Sequence, residues 1–216
     1  MVINLSEQNS IAGQFIAELR DVEIQRDRLR FRTNVQRLGK IFAYEISKTF
    51  AYRTEERETP LGVASVSVPS ERVIIASILR AGLPLHEGML DFIDYAENAF
   101  ISAYRKHHKD GTFEVNLEYV TCPNLDGSIL ILTDAMLATG SSFHAALKIL
   151  QDYGTPKSIH IATIIGSSDG INYISRLYPK VKIWVGAQDE ELTAKSYIVP
   201  GLGDAGDLLY GEKLQE

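Results

Sequence analysis

Ser128-Ile-Leu-Ile-Leu-Thr-Asp134-Ala-Met-Leu-Ala-Thr-Gly-Ser-Ser142-Phe-His-Ala-Ala-Leu-Lys-Ile-Leu150 passes through three physical regimes without a linker. Ile129 to Leu132 is an unbroken apolar run of strand length, the pattern of a strand buried on both faces of a parallel sheet. Asp134 ends the run with a carboxylate. Thr139, Gly140, Ser141 and Ser142 then offer small hydroxyls and open backbone N–H groups. From Phe143 the apolar positions 143, 146, 147 and 150 keep helical spacing. The stretch predicts a strand, a polar turn and a helix N-terminus. Free amides and the positive end of the helix dipole make such a turn an anion site. A carboxylate just ahead of it suits a ligand with both phosphate and hydroxyls, or a metal.

Working outward, strand-like and helix-like segments alternate from residue 73 to residue 185. Val73 to Leu79 reads as a buried strand ending at Arg80-Ala81-Gly82, and Leu83 to Ile93 as a helix. Ala99 to Tyr104 reads as a strand ending at Arg105. After the polar run 106–112, Phe113, Val115, Leu117 and Tyr119 alternate, so Arg105 to Val120 forms a candidate hairpin or flap. Ser158 to Ile165, Asp169 to Leu177 and Val181 to Val185 read as strand, helix and strand. This alternation implies βαβ crossovers, hence an α/β fold with a mostly parallel twisted sheet flanked by helices. Ligands of such sheets bind beyond the carboxyl ends of the strands. Arg80-Ala81-Gly82, Arg105 and Asp134–Ser142 all fall there.

The flanks are less regular. Ile11, Phe15, Ile16 and Leu19 give residues 8–19 an apolar helical face. Arg26, Arg28, Arg30, Arg32 and Arg37 crowd the next segment, as a solvated helix face or as a phosphate- or subunit-facing patch. Thr33 is the expected cap of a helix from Asn34 to Phe50. Glu55 to Pro60 reads as a loop, and Ala64, Val66 and Val68 as a half-exposed strand. From Gln188 the chain turns acidic and glycine-rich. The expected organisation is one domain over 1–216, with a core at about 70–186 and a small hood of 187–211 plus N-terminal segments.

Composition narrows the function classes. At 216 residues a large single core is feasible. A net charge of −6 argues against a broad nucleic-acid surface, and no nucleic-acid partner is expected. Cys122 is the single cysteine, which excludes an internal disulfide and a cysteine metal cluster. Met1 to Glu7 has no basic region followed by an apolar core, and no run approaches a membrane span, so a cytoplasmic protein without membrane association is expected. Gly201-Leu-Gly203-Asp-Ala-Gly206 matches the dinucleotide fingerprint literally but opens no βαβ unit, so it reads as a backbone-exposing loop. No Walker-type phosphate loop occurs. His86, His107, His108, His144 and His160 lack metal-ligand spacing.

Asp134-Ala-Met-Leu-Ala-Thr-Gly-Ser-Ser142 resembles the phosphoribosyl-pyrophosphate loop of type I phosphoribosyltransferases, in its uracil phosphoribosyltransferase form. Ile78-Leu-Arg-Ala-Gly82, Ala103-Tyr-Arg105 and Tyr197-Ile-Val-Pro-Gly-Leu-Gly-Asp-Ala-Gly-Asp207 support that branch in the same order along the chain. The last is the most specific, since it resembles the family's uracil-binding hood. The resemblance implies the reaction of uracil with phosphoribosyl pyrophosphate to UMP and diphosphate, with Mg2+. By matching position, Arg80 and Arg105 would hold the diphosphate and Asp134 the ribose hydroxyls. Ala135, Met136, Leu137 and Ala138 would line the donor site, and Thr139, Gly140, Ser141 and Ser142 would bind the 5′-phosphate. Ile198, Gly203 and Ala205 would read uracil through backbone groups, and Asp204 would bridge to the donor and to metal-bound water. No side chain is expected to ligate the metal directly. A homodimer or higher homo-oligomer and regulation by GTP are also family-level expectations.

Three residues depart from the family pattern: Ala135 replaces the familiar proline, Ser141 the second glycine, and Leu208 a basic residue. Two other readings stand beside the main one. One is a phosphoribosyltransferase for another base, against which the 198–207 segment argues. The other is a UMP-sensing, RNA-binding pyrimidine regulator on the same fold, for which the arginine cluster would supply a basic face.

Overall fold

The computed structural model describes residues 1–107 and 113–212, with side chains at all of these except 103–118. From the N-terminus, β1 (Val2–Asn4), α1 (Ile11–Arg20) and α2 (Arg28–Ser47) precede β2 (Tyr52–Thr59) and β3 (Gly62–Pro69). The central run is β4 (Val73–Leu79), α3 (Leu83–Leu90), β5 (Glu97–His107), β6 (Phe113–Thr121) and β7 (Ile129–Leu137). It continues through α4 (Ser141–Leu150), β8 (Ser158–Ser167), α5 (Ser168–Leu177) and β9 (Lys182–Asp189). Short β10 (Glu191–Leu192), β11 (Ile198–Val199) and α6 (Ala205–Tyr210) follow.

Seven strands form one sheet in the order β1-β9-β8-β7-β4-β5-β6. All neighbours pair in parallel except β5 with β6, which are antiparallel. The expected α/β class with a mostly parallel sheet is the observed one. Period-2 geometry divides each central strand between two cores. Ile129 and Ile131 join the layer formed by α1, α2 and α3 with residues 198–209, while Leu130 and Leu132 join the layer of α4 and α5. Covering both faces with helices explains why Val73 to Ala76 and Ile129 to Leu132 are apolar without alternation.

The strand order reverses between β4 and β7. From β4 the chain winds through α3 to β5; from β7 it winds the other way through α4 to β8. Their carboxyl ends therefore bound a crevice at a topological switch point, the usual ligand position in this architecture.

Several local expectations need correction. The second helix begins at Arg28, not at Asn34, because Asp27 caps it by accepting from the Arg30 N–H at 3.0 Å. The arginine-rich segment is the opening of that helix. Residues 55–60 are not a loop: Tyr52–Thr59 pairs antiparallel with Gly62–Pro69 from Tyr52↔Pro69 to Thr59↔Gly62. This ribbon is largely exposed, so its residues carry little hydrophobic patterning to betray a strand. The central strand runs on to Leu137, with Asp134↔Thr163 and Met136↔Ile165 in register, so the polar turn proper is 138–140. Val2–Asn4 adds an edge strand beside β9, and Ala205–Tyr210 is helical, neither of which was expected. The hairpin expected from Arg105 to Val120 is present as β5 and β6, while the expected flap at 106–112 lies outside the described residues from 108 onward.

Candidate active site

The crevice is walled by the β4–α3 turn on one side and the β7–α4 turn on the other. Gly82 is buried in the first turn, where a Cβ would lie 2.5 Å from the Thr133 carbonyl and 2.8 Å from that of Ile78. The turn thus presses against β7 with no room for a side chain. Thr133 secures the junction through its Oγ1, which donates to the Ala76 carbonyl at 3.1 Å. Arg80, at the tip, is exposed. The Leu79–Arg80 peptide bond is cis.

In the second wall Asp134 is half-buried near the end of β7, and its Oδ1 accepts the Ala135 N–H at 2.7 Å. Ala135 and Leu137 are buried side chains of the two cores, so any ligand contact from them runs through the backbone. Ser167 braces the turn from β8: its Oγ donates to the Ala138 carbonyl at 2.5 Å and accepts the Gly170 N–H at 2.9 Å. Gly140 takes φ +83 as the cap of α4, and a Cβ there would meet Tyr173 Cδ1 at 2.8 Å. Thr139 Oγ1 and Ser141 Oγ lie 2.9 Å apart, and the Ser141 N–H donates to Thr139 Oγ1 at 3.3 Å. Ser141 therefore fits the turn without positive φ; the glycine requirement falls on Gly140. Hydroxyls and amides of 139–142 are gathered at the N-terminus of a ten-residue helix, an arrangement suited to a phosphate.

The C-terminal segment reaches the first wall. Arg80 Nη2 lies 3.5 Å from Asp207 Oδ1, and the Arg80 guanidinium stands 5.9 Å from the Tyr210 ring centre. Asp207 Oδ1 is buried and accepts no hydrogen bond among the described residues, so its negative charge faces the Arg80 cation without a tight pair. Asp204 caps α6 by accepting the Asp207 N–H at 3.1 Å. Ile198 and Ala205 are buried, whereas Gly203, at φ +95, is exposed. Arg105 lies on β5 opposite Val115, with a side chain outside the described residues.

The structure thus joins Arg80 to the C-terminal segment and sets Asp134 on the neighbouring strand β7, with residues 138–142 in the turn and helix start that follow it. Three of the five clustered arginines, by contrast, are tied into the fold, while Arg26 and Arg28 are exposed. Arg30 pairs with Glu18 at 2.7 Å, Arg32 donates to the Leu209 carbonyl at 2.8 Å, and Arg37 donates to Asn34 Oδ1 at 2.9 Å. Hydrogen bonds from Arg30, Gln14 and Asn34 hold the Glu18 carboxyl well below the usual range. Sequence reasoning missed Ser167, and it placed Asp207 in the hood motif without its approach to Arg80. The Ser167-Ser-Asp-Gly170 cap signal was present, but its second role toward Ala138 depends on a contact across two strands.

Comparison with known proteins follows the same outline. The uracil phosphoribosyltransferase family model matches residues 6–212. The uracil phosphoribosyltransferase of Porphyromonas gingivalis is 51% identical over 214 residues, 99% of each chain. That of Pyrococcus furiosus is 35% identical over 212 residues, covering 97% of this chain and 90% of the relative. The solved AQ2163 protein from Aquifex aeolicus superposes over the whole of both chains with a TM-score of 0.88 and 29% identity. By family match and by relatives spanning its length, the chain belongs to the uracil phosphoribosyltransferase family.

Proposed function

We propose that the protein joins uracil to the ribose of phosphoribosyl pyrophosphate, giving UMP and releasing diphosphate, in pyrimidine salvage. The observation that carries this reading is the switch-point crevice with the α4 N-terminus on one wall and Arg80 on the other, in a chain of this family. Thr139 to Ser142 bind the 5′-phosphate, and Asp134 binds the ribose hydroxyls. Arg80, with Arg105 from β5, receives the diphosphate. Ile198, Gly203 and Ala205 read the base through backbone groups in a hood over the crevice, with Asp204 between base and donor.

The chemistry needs little else. Cleavage of the C1′–oxygen bond places positive charge on the ribose ring and negative charge on the leaving diphosphate. The arginines stabilise the latter, and holding uracil N1 in line with C1′ supplies much of the remaining acceleration. Among the described residues, no group of three or more His, Cys, Asp or Glu side chains could cage a metal. That donor set fits Mg2+, which favours substrate phosphates and water with one or two carboxylates. The diphosphate and water would hold it, with Asp204 as the residue that would face it through water. Bound there, Mg2+ would neutralise diphosphate charge.

The regulator reading needs a broad basic face, and three of the cluster's five arginines, Arg30, Arg32 and Arg37, are engaged within the fold, while Arg26 and Arg28 stay exposed. No helix among the described residues is long and apolar enough to cross a membrane, and a cytoplasmic setting belongs to the same proposal. So does a homo-oligomer: Tyr44, Tyr52, Phe92 and Tyr95 are exposed aromatics that a second copy would cover. Light scattering reads that state, and adding GTP to the assay reads regulation.

The deciding assay supplies labelled uracil, phosphoribosyl pyrophosphate and Mg2+ and follows UMP. We expect UMP from uracil and none from adenine, hypoxanthine or orotate. Product from one of those bases and none from uracil would overturn the reading.

A further inference from the structure

The structure assigns Arg20 and Asp189 as positioning residues for the base-reading turn, an inference that rests on the uracil-transfer reading above. Arg20 is the last residue of α1 and Asp189 the last of β9. Their side chains meet as a two-pronged fork, Nη1 to Oδ2 at 2.8 Å and Nη2 to Oδ1 at 2.7 Å. Each partner then takes one polar group of the same backbone residue. Arg20 Nη1 donates to the Gly201 carbonyl at 2.9 Å, and Asp189 Oδ2 accepts the Gly201 N–H at 2.9 Å. One ion pair therefore satisfies both hydrogen-bonding groups of Gly201.

That residue is the pivot of the turn. Gly201 is buried at φ +57, and a Cβ there would lie 2.2 Å from the Ile198 carbonyl. Ile198 precedes it by three residues, and the exposed Gly203 follows by two. The clasp fixes the chain between the backbone groups assigned to uracil. Neither member is placed to touch ligand itself, because the two side chains are only 24% and 7% exposed and spend their prongs on each other and on Gly201. Burial alone would raise the Asp189 pKa, but the Arg20 hydrogen bond and the Gly201 amide outweigh it and lower it, so the pair is charged at neutral pH.

Stability alone is a weak reason for this pair. A buried ion pair often contributes no more than apolar side chains of similar volume, whereas bidentate geometry specifies orientation. The surrounding contacts do not need it: Ile16 and Leu19 anchor α1 in the core, and Asp189 is paired in the sheet with Ser167. Loss of the clasp should free the turn while leaving the sheet and the donor site in place.

The test measures KM for uracil and for phosphoribosyl pyrophosphate in wild type, Arg20→Ala, Asp189→Ala and the double variant, with melting temperatures. Removing one partner of a buried hydrogen bond predicts a rise in uracil KM of about tenfold, with the donor KM within about twofold of wild type. The double variant should be little worse than either single, since the clasp acts as a unit. Asp189→Asn keeps an acceptor for the Gly201 amide without the charge, so it disturbs the fold less than alanine and should show a smaller rise confined to uracil. Unchanged uracil KM in folded variants, or equal loss for both substrates, would overturn the assignment while the uracil reading stands. A wild-type protein that makes no UMP would bring down that reading and the assignment with it.

Discussion

Asp134 lies where β7 runs past the end of its pairing with β4 while still paired with β8, half-buried, with one oxygen on the next backbone amide. That contact is one an asparagine oxygen can also make, so Asp134→Asn keeps it while removing the charge. A hydrogen bond between a ribose hydroxyl and a charged acceptor is worth about 1.5–3 kcal/mol, which predicts a loss in turnover of roughly 10- to 100-fold. Steady-state kinetics with a melting curve checks both halves, and near-wild-type turnover would remove Asp134 from the ribose role. This residue was legible in the sequence because a carboxylate closing a buried apolar run has few structural uses. Asp207 was less so: its meaning is its 3.5 Å approach to Arg80, a residue 127 positions earlier, and no local pattern encodes that pairing. Ser141 shows the opposite case. It replaces the family's second glycine without strain, because the left-handed residue of the turn is Gly140 and Ser141 opens the helix.

Among the elements, α2 and α3 make the closest helix contact, and two glycines permit it. A Cβ on Gly39 would lie 2.4 Å from the Leu85 carbonyl, and one on Gly88 would lie 2.0 Å from the carbonyl of Gln36. Two effects of Gly88→Ala oppose each other. Alanine favours a helix over glycine by about 1 kcal/mol, while forcing a methyl into packed backbone costs about 1–3 kcal/mol or more. At 2.0 Å from backbone the clash wins, so the variant should lower the urea midpoint of unfolding; a raised midpoint would mean the helices do not approach this closely. Because α3 carries the β4–α3 turn on its N-terminus, the same shift should weaken donor binding. Buried elements were readable for the reason that makes them buried: Val73 to Ala76 and Ile129 to Leu132 are apolar on both sides. Elements without a buried face were not. The β2 strand is polar on both faces and largely exposed, paired with β3 along its length. The start of α2 was hidden by arginines whose partners, Glu18 and the Leu209 carbonyl, lie in other elements.

At the scale of the molecule, parallel crossovers and their site could be foreseen because the handedness and placement of βαβ units are nearly forced. How the terminal segments close over that sheet could not, since α1, β9 and residues 198–210 meet through polar contacts such as Arg20 with Asp189 and Gly201. Those contacts and the buried histidines also set the response to acid. His160 on β8 is 1% exposed and accepts the Trp184 indole N–H at its Nδ1 at 3.1 Å, so it is neutral in the fold. Burial, with Lys182 nearby, pushes its pKa down to about 4. Burial lowers His86 in the same direction; its Nε2 lies 2.7 Å from Asn98 Oδ1. A histidine whose folded pKa lies below its unfolded value binds its proton more readily in the unfolded chain. Stability is then whole above the unfolded value of about 6.5 and declines as pH falls toward about 4, by at most about 3 kcal/mol for His160. The carboxylates of Glu18 and Asp189, held low by their arginines, contribute their loss only at lower pH, as each protonates through its depressed folded pKa. The onset between about pH 6.5 and 5 is therefore the histidine signature. Urea unfolding of wild type at intervals from pH 7.5 to 4.5 should show that decline, and His160→Gln, which keeps an acceptor for Trp184, should flatten part of it. A wild-type curve level down to about pH 5 would mean that His160 titrates normally and is not buried against Trp184 as described.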